Sequence, residues 1–352
     1  MKNILWVFLF LLIVFRYFTT KPSYENGDKI RLTATVFSDP VNLGSHQSFS
    51  AAGLKVYLPS FPEISYGDKI VVEGNVENGK LTNAKLIGRK SSNGFGFNLR
   101  NKIVSFYQKV LPQPMSGLIA GITLGSKGTI TSDFWNKVKS TGVAHIIVAS
   151  GTNVTFVVSF IFGIVSLFLS RRKSIPIVLL SIILYLFISG FEAPLIRAAL
   201  MAFVTFWAQQ SGRLVNAWRS LILTAGLMLV VSPTWLTDLG FILSFVSTAS
   251  IMVFEKKLSK LLKFLPKIIN EGFSTSFAAQ IGVAPILFVT FGQFNLLSPI
   301  INMLVLWTVP YIMIFGAVGG VVGLLAPSLG KLILYMCYPL TWWFTQVVTL
   351  FS

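Results

Sequence analysis

The sequence predicts a polytopic α-helical membrane protein with a small extracytoplasmic all-β domain of the OB-like kind. Hydrophobic residues make up 53% of the chain, charged residues make up only 12%, and the mean hydropathy is +0.72. Several apolar runs approach or exceed the roughly 20 residues that cross a bilayer. Segment 24–90 differs, because apolar and polar residues alternate there and acidic and basic residues nearly balance. Such alternation is typical of half-buried strands.

Composition also limits the chemistry. The formal net charge of +17 suits binding to anionic lipid, cytoplasmic anchoring loops or binding to nucleic acid. The positions of the basic residues along the chain are therefore more informative than the total charge. The single cysteine, Cys337, excludes an intrachain disulfide, and the two histidines, His46 and His145, are too few for a His-based metal cluster. We therefore expect no metal site and no cofactor.

The N-terminal part begins with a membrane anchor and continues with the β domain. Residues 1–20 contain an apolar run between Lys2 and Arg16 but no small-x-small cleavage site, so we expect an uncleaved anchor helix. In 24–90, alternating strands and a hairpin turn at 77–80 predict an OB-like barrel. Such barrels often bind oligonucleotides, but the nearly neutral charge leaves a spacer or docking role equally open.

Residues 91–140 are expected to form a linker with interfacial helices. The helical spacing of apolar residues in 97–111 predicts an amphipathic helix along the membrane surface, whereas 117–125 is apolar but too short to span. A phosphate-binding loop is excluded at 121–129, because Ser126 stands before the lysine where that loop needs glycine. The basic residues of this region define an outer basic collar, which comprises Arg100, Lys102, Lys109, Lys127, Lys137 and Lys139.

Residues 141–352 predict the polytopic domain. We expect spans at 153–170, 175–191, 194–211, 215–232, 239–254, 273–291, 296–325 and 331–350, with 296–325 broken by Pro310 and several glycines. Basic loops alternate with loops that hold Glu192 or Asp238, as the positive-inside rule requires. The rule places the domain 24–90 outside and three basic segments in the cytoplasm. These segments are 171–173, the loop with Arg213 and Arg219, and 256–267, for which an interfacial amphipathic helix is expected.

A polar break interrupts the apolar pattern at the head of the polytopic domain. Ser150 and Gly151 interrupt it, and Thr152 and Asn153 follow before an uninterrupted apolar segment. Polar backbone at this depth is costly unless it lines an aqueous cavity or packs inside protein. The alternative is a helix cap formed by Ser150 or Asn153, with His145 hydrogen-bonded in the core.

Other polar residues lie in or near the predicted spans. Arg197 is a candidate functional residue, although it could also lie at the interface or pair with Glu192. Asp238 and Ser244 share one motif, in which Asp238 could simply cap a helix. Asn302 is an uncharged polar residue of the kind that joins helices.

A hydrolase built on this polar break is not expected. Ser150 and His145 are near enough in sequence to approach each other, but no carboxylate lies close by to orient the imidazole. The nucleophile elbow Gly-x-Ser-x-Gly is also missing from this stretch. With the NTPase excluded as well, the chain is expected not to be an enzyme.

Five motifs follow one another in the C-terminal part of the chain. They are GLIAGITLG at 117–125, TGVAHIIVASGTNVT at 141–155, Pro-x-x-Arg-Ala at 194–198, SPTWLTDLGFILSF at 232–245 and AAQIGVAPILFVTFGQFNLLSPIIN at 278–302. Their order and spacing resemble the competence domain of the ComEC family of bacterial DNA-uptake channels. A membrane helix followed by a small OB-like domain fits the N-terminal half of that family. Asn153 stands where many relatives have a histidine, so an imidazole is not required there.

This resemblance implies transport of single-stranded DNA across the bacterial cytoplasmic membrane during natural competence. The implied partners are single-stranded DNA and membrane lipids, with a DNA receptor, a separate nuclease and a cytoplasmic motor ATPase as further candidates. Full-length relatives often carry a metallo-β-lactamase-like domain proposed to degrade the other strand, and this chain has no His-rich motif for that reaction. The implied DNA path contains His145, Ser150, Gly151, Thr152, Asn153, Arg197, Asp238, Ser244 and Asn302.

Two other function classes fit the same residues. One is a permease for a small anionic or amphiphilic solute, which would use the same broken-helix site. The other is a membrane scaffold that transports nothing and whose barrel recruits a partner.

Overall fold

The computed structural model consists of a small β domain and a helical domain. It describes residues 2–20, 26–37, 39–42, 46–51, 53–77, 79–91, 94–148, 150–212, 216–291, 295 and 297–352. Arg213 and Asn78, which belong to a predicted loop and a predicted turn, lie outside the described residues. The helices are α1 Lys2–Thr20, α2 Phe95–Val110, α3 Met115–Leu124, α4 Ser132–Ser140, α5 Ala144–Ile147, α6 Gly151–Val165, α7 Arg171–Ser189, α8 Ala193–Gln210, α9 Ala217–Val231, α10 Leu239–Leu261, α11 Lys267–Phe291, α12 Ser298–Leu306, α13 Val309–Leu325 and α14 Pro327–Leu350. A 3₁₀ turn, Pro233–Thr237, lies between α9 and α10.

Six strands form the β domain. They are β1 Lys29–Thr35, β2 Val41–Asn42, β3 His46–Ala51, β4 Leu54–Pro59, β5 Lys69–Glu77 and β6 Lys80–Lys90. The sheet order is β1-β5-β6-β4-β3-β2, with β4 and β6 parallel and the other neighbours antiparallel. The two outermost strands, β1 and β2, follow each other in the chain, and the six strands confirm the small all-β domain predicted for this segment.

The register of this sheet follows from the alternation seen in the sequence. In β5 the side chains of Ile70 and Val72 are buried, and their neighbours in the strand are more exposed. Glu77 pairs with Lys80, which confirms the hairpin predicted at 77–80. Apolar side chains from β3, β4, β5 and β6 fill one core, which is separate from the core of the helical domain.

Because the β domain has its own core, we expect segment 24–90 to fold alone. The isolated segment should give a β-type circular-dichroism spectrum and a cooperative thermal transition. Replacing Ile70 by alanine, which empties a fully buried position, should lower its stability by about 2–5 kcal/mol. A helical or random-coil spectrum of the unmodified segment would show that the barrel depends on the helical domain.

The helix predicted along the membrane surface packs into the helical domain. The face of α2 that contains Ile103 and Tyr107 is buried against α13, and the Tyr107 hydroxyl donates to the Gly316 carbonyl at 2.8 Å. Gly320 makes this contact close, because a Cβ there would lie 2.6 Å from the same hydroxyl. Small residues on α13 thus offer the apolar face of α2 a protein partner, and the location of α2 along the membrane surface stays a prediction.

Every residue of α3 is buried, with α2, α13 and α14 among its neighbours. Its ten residues cover about 15 Å, so it cannot cross a bilayer alone, as its sequence indicated. The short helix forms part of the core on which α5 and α6 are held.

Length and hydropathy identify fewer spans than the sequence predicted. In the described part of the chain, three helices satisfy both criteria, namely α7, α10 and the 270–290 part of α11. The pair α12 and α13 passes the test only when the two helices are taken together, as one broken span or as a re-entrant loop. It is bent by 46° between Leu306 and Val309, so the predicted break in 296–325 is confirmed. The helices α6 and α9 have 15 residues each and reach about 22 Å, less than the hydrocarbon thickness.

The basic segment 256–267 does not form a separate interfacial helix. Helix α10 continues to Leu261, and α11 begins at Lys267, so the segment is the end of one long helix and a short turn. Asn270 holds this turn, because its side-chain amide donates to the carbonyls of Ser259 and Leu262 at 3.0 Å. The prediction of a separate interfacial helix was therefore wrong, because the apolar residues at the start of this segment continue the periodicity of α10.

Arg100 joins the β domain to the helices. Its guanidinium Nη2 lies 2.9 Å from Asp39 Oδ1, and Nη1 donates to the carbonyls of Leu124 and Ile188 at 2.7 Å. These carbonyls belong to the last turns of α3 and α7, where helices leave acceptors unsatisfied and favour cations. The guanidinium also lies 4.2 Å from the Tyr66 ring centroid. Burial raises the pKa of the Tyr66 phenol to about 12, so the ring beside the guanidinium is neutral.

Candidate functional site

The candidate site is built around the break between α5 and α6. Ser150 has an extended backbone, with φ −116° and ψ 161°, and α6 begins at Gly151. The hydroxyls of Ser150 and Thr152 share a hydrogen bond of 2.6 Å, and Ser150 Oγ donates to Asn153 Oδ1 at 3.1 Å. No side chain caps the backbone of this helix start. The predicted break is confirmed, and the cap by Ser150 or Asn153, which was the alternative to it, is not formed.

Asn153 fixes the start of α6 to the buried helix α3. Its side chain is fully buried, and Nδ2 donates to the carbonyl of Ile122 at 3.0 Å. Both atoms of the amide group are therefore used inside the protein. Asn153 positions the helix start and does not face an open path.

Arg197 reaches the start of α6 from helix α8. Its Nε donates to Ser244 Oγ at 2.6 Å and its Nη1 to Thr248 Oγ1 at 2.9 Å, both on α10. The remaining nitrogen, Nη2, faces Gly151, where a Cβ would lie 2.7 Å from it. The absence of a side chain at Gly151 thus allows the guanidinium to approach the helix backbone.

The charge of Arg197 has no carboxylate partner among the described residues. The candidate partner Glu192 binds Lys127 instead, with Oε1 2.8 Å from Nζ, so the alternative pair of Arg197 with Glu192 is not formed. Within the described part of the chain, Nη2 also makes no hydrogen bond. A guanidinium therefore lies beside the positive end of a helix dipole, an arrangement that favours a bound anion.

Helix α7 brings further polar groups close to this site. The phenol of Tyr185 lies near Asn153 and Ser189. The hydroxyls of Tyr185 and Ser189 are buried and have no hydrogen-bond partner among the described residues. Buried hydroxyls without a partner commonly form hydrogen bonds to water or to a polar ligand.

Sequence reasoning did not identify Thr248, Tyr185 or Ser189. Thr248 lies one helical turn after Ser244, so the polar stripe on an otherwise apolar helix was a usable signal. Tyr185 and Ser189 are also four residues apart, but nothing in the sequence shows that Tyr185 lies near Asn153.

Three predicted site residues lie apart from this group. His145 is exposed, and its Nδ1 lies 3.1 Å from the carbonyl of Gly142. His145 and Ser150, both described residues, make no hydrogen bond to each other. Asp238 accepts from the Phe241 amide at 2.8 Å and caps α10, as the alternative interpretation proposed. Asn302 is buried and donates to Ser276 Oγ at 3.0 Å, so it joins α12 to α11.

The outer basic collar divides into free and occupied cations. Arg100 is 2% exposed and belongs to the contact with Asp39, so including it in an open collar was wrong. Lys127 binds Glu192, and Lys137 lies 2.9 Å from Asp133 one turn earlier in α4. The exposed members of the collar that have no ion pair with a described residue are Lys102, Lys109 and Lys139.

Comparison with known proteins covers the region that contains this site. A family model described as Competence protein matches residues 122–352. ComE operon protein 3 of Bacillus subtilis (strain 168) is 29% identical over 259 residues, which are 72% of this chain and 32% of that protein. Uncharacterized protein YcaI of Escherichia coli (strain K12) is 23% identical over 235 residues, 61% of this chain and 30% of that protein. The chain thus spans about a third of the length of these curated relatives.

No solved structure matches the chain significantly. The family model nevertheless includes Ser150, Arg197 and Ser244, and it covers more than half of the chain. The chain therefore belongs to the Competence protein family, and this confirms the resemblance to ComEC indicated by the motifs.

Proposed function

We propose that the protein takes part in DNA uptake during competence and passes single-stranded DNA across the cytoplasmic membrane. The family match and the name of the Bacillus relative support a role in competence. The β domain would face outward, as the distribution of basic loops favours. A DNA receptor, a nuclease and a cytoplasmic motor ATPase would be separate partners.

The observation that carries the proposal is the uncompensated guanidinium of Arg197 at the start of α6. Two of its nitrogens are held by Ser244 and Thr248, and Nη2 faces Gly151. A phosphate of the DNA backbone would bind Nη2 and the backbone amides of the helix start, because both present hydrogen-bond donors and positive charge.

A path with few fixed cations suits the transport of DNA better than tight binding of DNA. A polyanion must be attracted strongly enough to enter and weakly enough to leave each site. A single arginine with neutral neighbours, among them Ser150 and Thr152, satisfies both needs at one depth of the membrane. Exposed Lys102, Lys109 and Lys139 would raise the local concentration of DNA outside it.

The test is uptake of labelled DNA by cells that carry or lack this protein. We expect nuclease-resistant label to accumulate inside cells only when the protein is present, and to return when the gene is supplied on a plasmid. A small anion, such as a labelled organic phosphate, should not compete with it.

Two results would contradict this proposal. Equal DNA uptake in both strains would exclude a role in transport. Saturable uptake of the small anion, with DNA entry unchanged, would identify a solute permease that uses the same arginine. A scaffold would instead tolerate the loss of Arg197.

A further inference from the structure

A cavity of about 400 Å³ lies at the end of the α7–α8 hairpin that is remote from the β domain. The side chains that line its polar part are Arg171, Arg172, Gln209 and Gln210. Arg171 Nη2 donates to Gln209 Oε1 at 3.0 Å and thereby connects the first turn of α7 to the last turn of α8. The cavity is therefore formed by two helices that are held together at its rim.

The cavity is strongly positive. Among the described residues, no acidic side chain lines it, and neither arginine takes part in an ion pair. The first turn of α7 holds no acidic side chain, although a helix N-terminus favours negative charge. Two cations and a helix start thus converge without an anion from this chain.

An apolar groove continues from the same cavity along the helix pair. It shares Arg172, Ile175 and Gln210 with the polar part and extends past Trp207 to Leu179 and Phe203. The rings of Phe203 and Trp207 stack with centroids 6.1 Å apart, and Trp207 is 68% exposed. A polar basic end and an apolar extension match the headgroup and acyl chain of one lipid molecule.

We propose that this cavity and groove bind one anionic phospholipid from the leaflet opposite the β domain. The phosphate would receive hydrogen bonds from Arg171 and Arg172, and the glycerol headgroup would contact the glutamine side chains. One acyl chain would lie along Leu179, Phe203 and Trp207. Basic pockets between helices are suited to such headgroups, and tryptophan favours the interfacial depth that the arrangement requires.

Lipid binding here would hold the ends of α7 and α8 at a fixed separation. Arg197 lies on α8 and Tyr185 on α7, so the hairpin carries part of the candidate site at its other end. The proposed lipid site does not depend on DNA binding. If the lipid does not bind, the proposed transport function is unaffected.

The experiment compares lipids by the thermal protection of the purified full-length protein in detergent. Phosphatidylglycerol should bind at least about tenfold tighter than phosphatidylcholine with the same acyl chains, a difference on the order of one charge-assisted hydrogen bond. The variant Arg172→Gln should lose most of that preference. Its matched control is Lys173→Gln, which removes the neighbouring charge from a residue that does not line the cavity and should keep the preference.

A second variant and two further probes separate the lipid from other anions. Phe203→Ala should weaken both phospholipids alike, because it shortens the groove without changing the charge. Glycerol phosphate should protect far less than the whole lipid. Equal protection by glycerol phosphate, or stronger protection by a single-stranded oligonucleotide that Arg172→Gln abolishes, would overturn the proposal. An equal loss in Lys173→Gln would also overturn it, since it would indicate diffuse surface charge.

Discussion

Replacing Arg197 by alanine should lower DNA uptake by about 10- to 100-fold, the effect expected when one or two charge-assisted hydrogen bonds to phosphate are lost. Its Nη2 faces the start of α6 and has no hydrogen bond among the described residues. Protein abundance should stay near the normal level. An unpaired arginine at this depth costs about 2.5–3.5 kcal/mol, so its removal need not destabilise the membrane domain.

Conservative variants distinguish charge from geometry. Arg197→Lys should retain part of the uptake if a point charge is enough, and little if the planar guanidinium is needed. The double variant Ser244→Ala with Thr248→Val keeps the charge but removes the two hydroxyls that hold it. We expect an intermediate loss from it, because the guanidinium would no longer be directed at Gly151.

A matched control is available in another apolar helix. Arg16 of α1 donates from Nε to the carbonyl of Val230 at 3.1 Å and lies outside the candidate site. Arg16→Ala should leave uptake nearly unchanged once it is normalised to abundance. Normal uptake by Arg197→Ala at normal abundance would disprove the assignment, and a loss of abundance that matches the loss of uptake would indicate a structural role.

Much of the candidate site could be predicted because polar residues are rare in this sequence. The break at Ser150 and Gly151 and the motif residues Arg197 and Ser244 all interrupt apolar runs, and lipid makes such interruptions costly. The structure brings these four residues together. Their shared location follows from the packing of α6, α8 and α10.

Partner choice could not be predicted. Arg197 has Glu192 five residues before it, but Lys127 from a distant loop takes that carboxylate. The apolar face of α2 likewise fits a membrane surface or another helix equally well. The glycines of α13 that contact this face lie more than 200 residues away in sequence, as the contact of Tyr107 with Gly316 shows.

The partners of Arg100 could not be predicted either. By periodicity it resembles an exposed basic residue, yet its partners are Asp39, Leu124 and Ile188, which come from three separate segments. Replacing it by methionine should destabilise the contact between the β domain and the helices by about 3–5 kcal/mol, because a buried carboxylate would remain unpaired. Two helix-end carbonyls would also lose their donor.

The change should be visible without any activity assay. In Arg100→Met we expect faster proteolysis between the barrel and α2, at 91–94, together with a lower melting temperature of the helical domain. The melting temperature of the barrel should remain the same, since its core contains no residue of this contact. The control Lys102→Met removes an exposed cation two residues further along α2 and should change neither measurement.

A double-mutant cycle identifies the cause. Asp39→Leu alone leaves Arg100 buried without its carboxylate, but the guanidinium keeps its two carbonyl acceptors, so the loss should be smaller than in Arg100→Met. Combining both changes replaces the ion pair by apolar side chains, which often restores stability. We therefore expect the double variant to resist proteolysis better than Arg100→Met alone. Additive losses would mean that the two side chains act independently, and the barrel would then be held chiefly by the ring contact of Tyr66 with Phe97, whose centroids lie 5.3 Å apart.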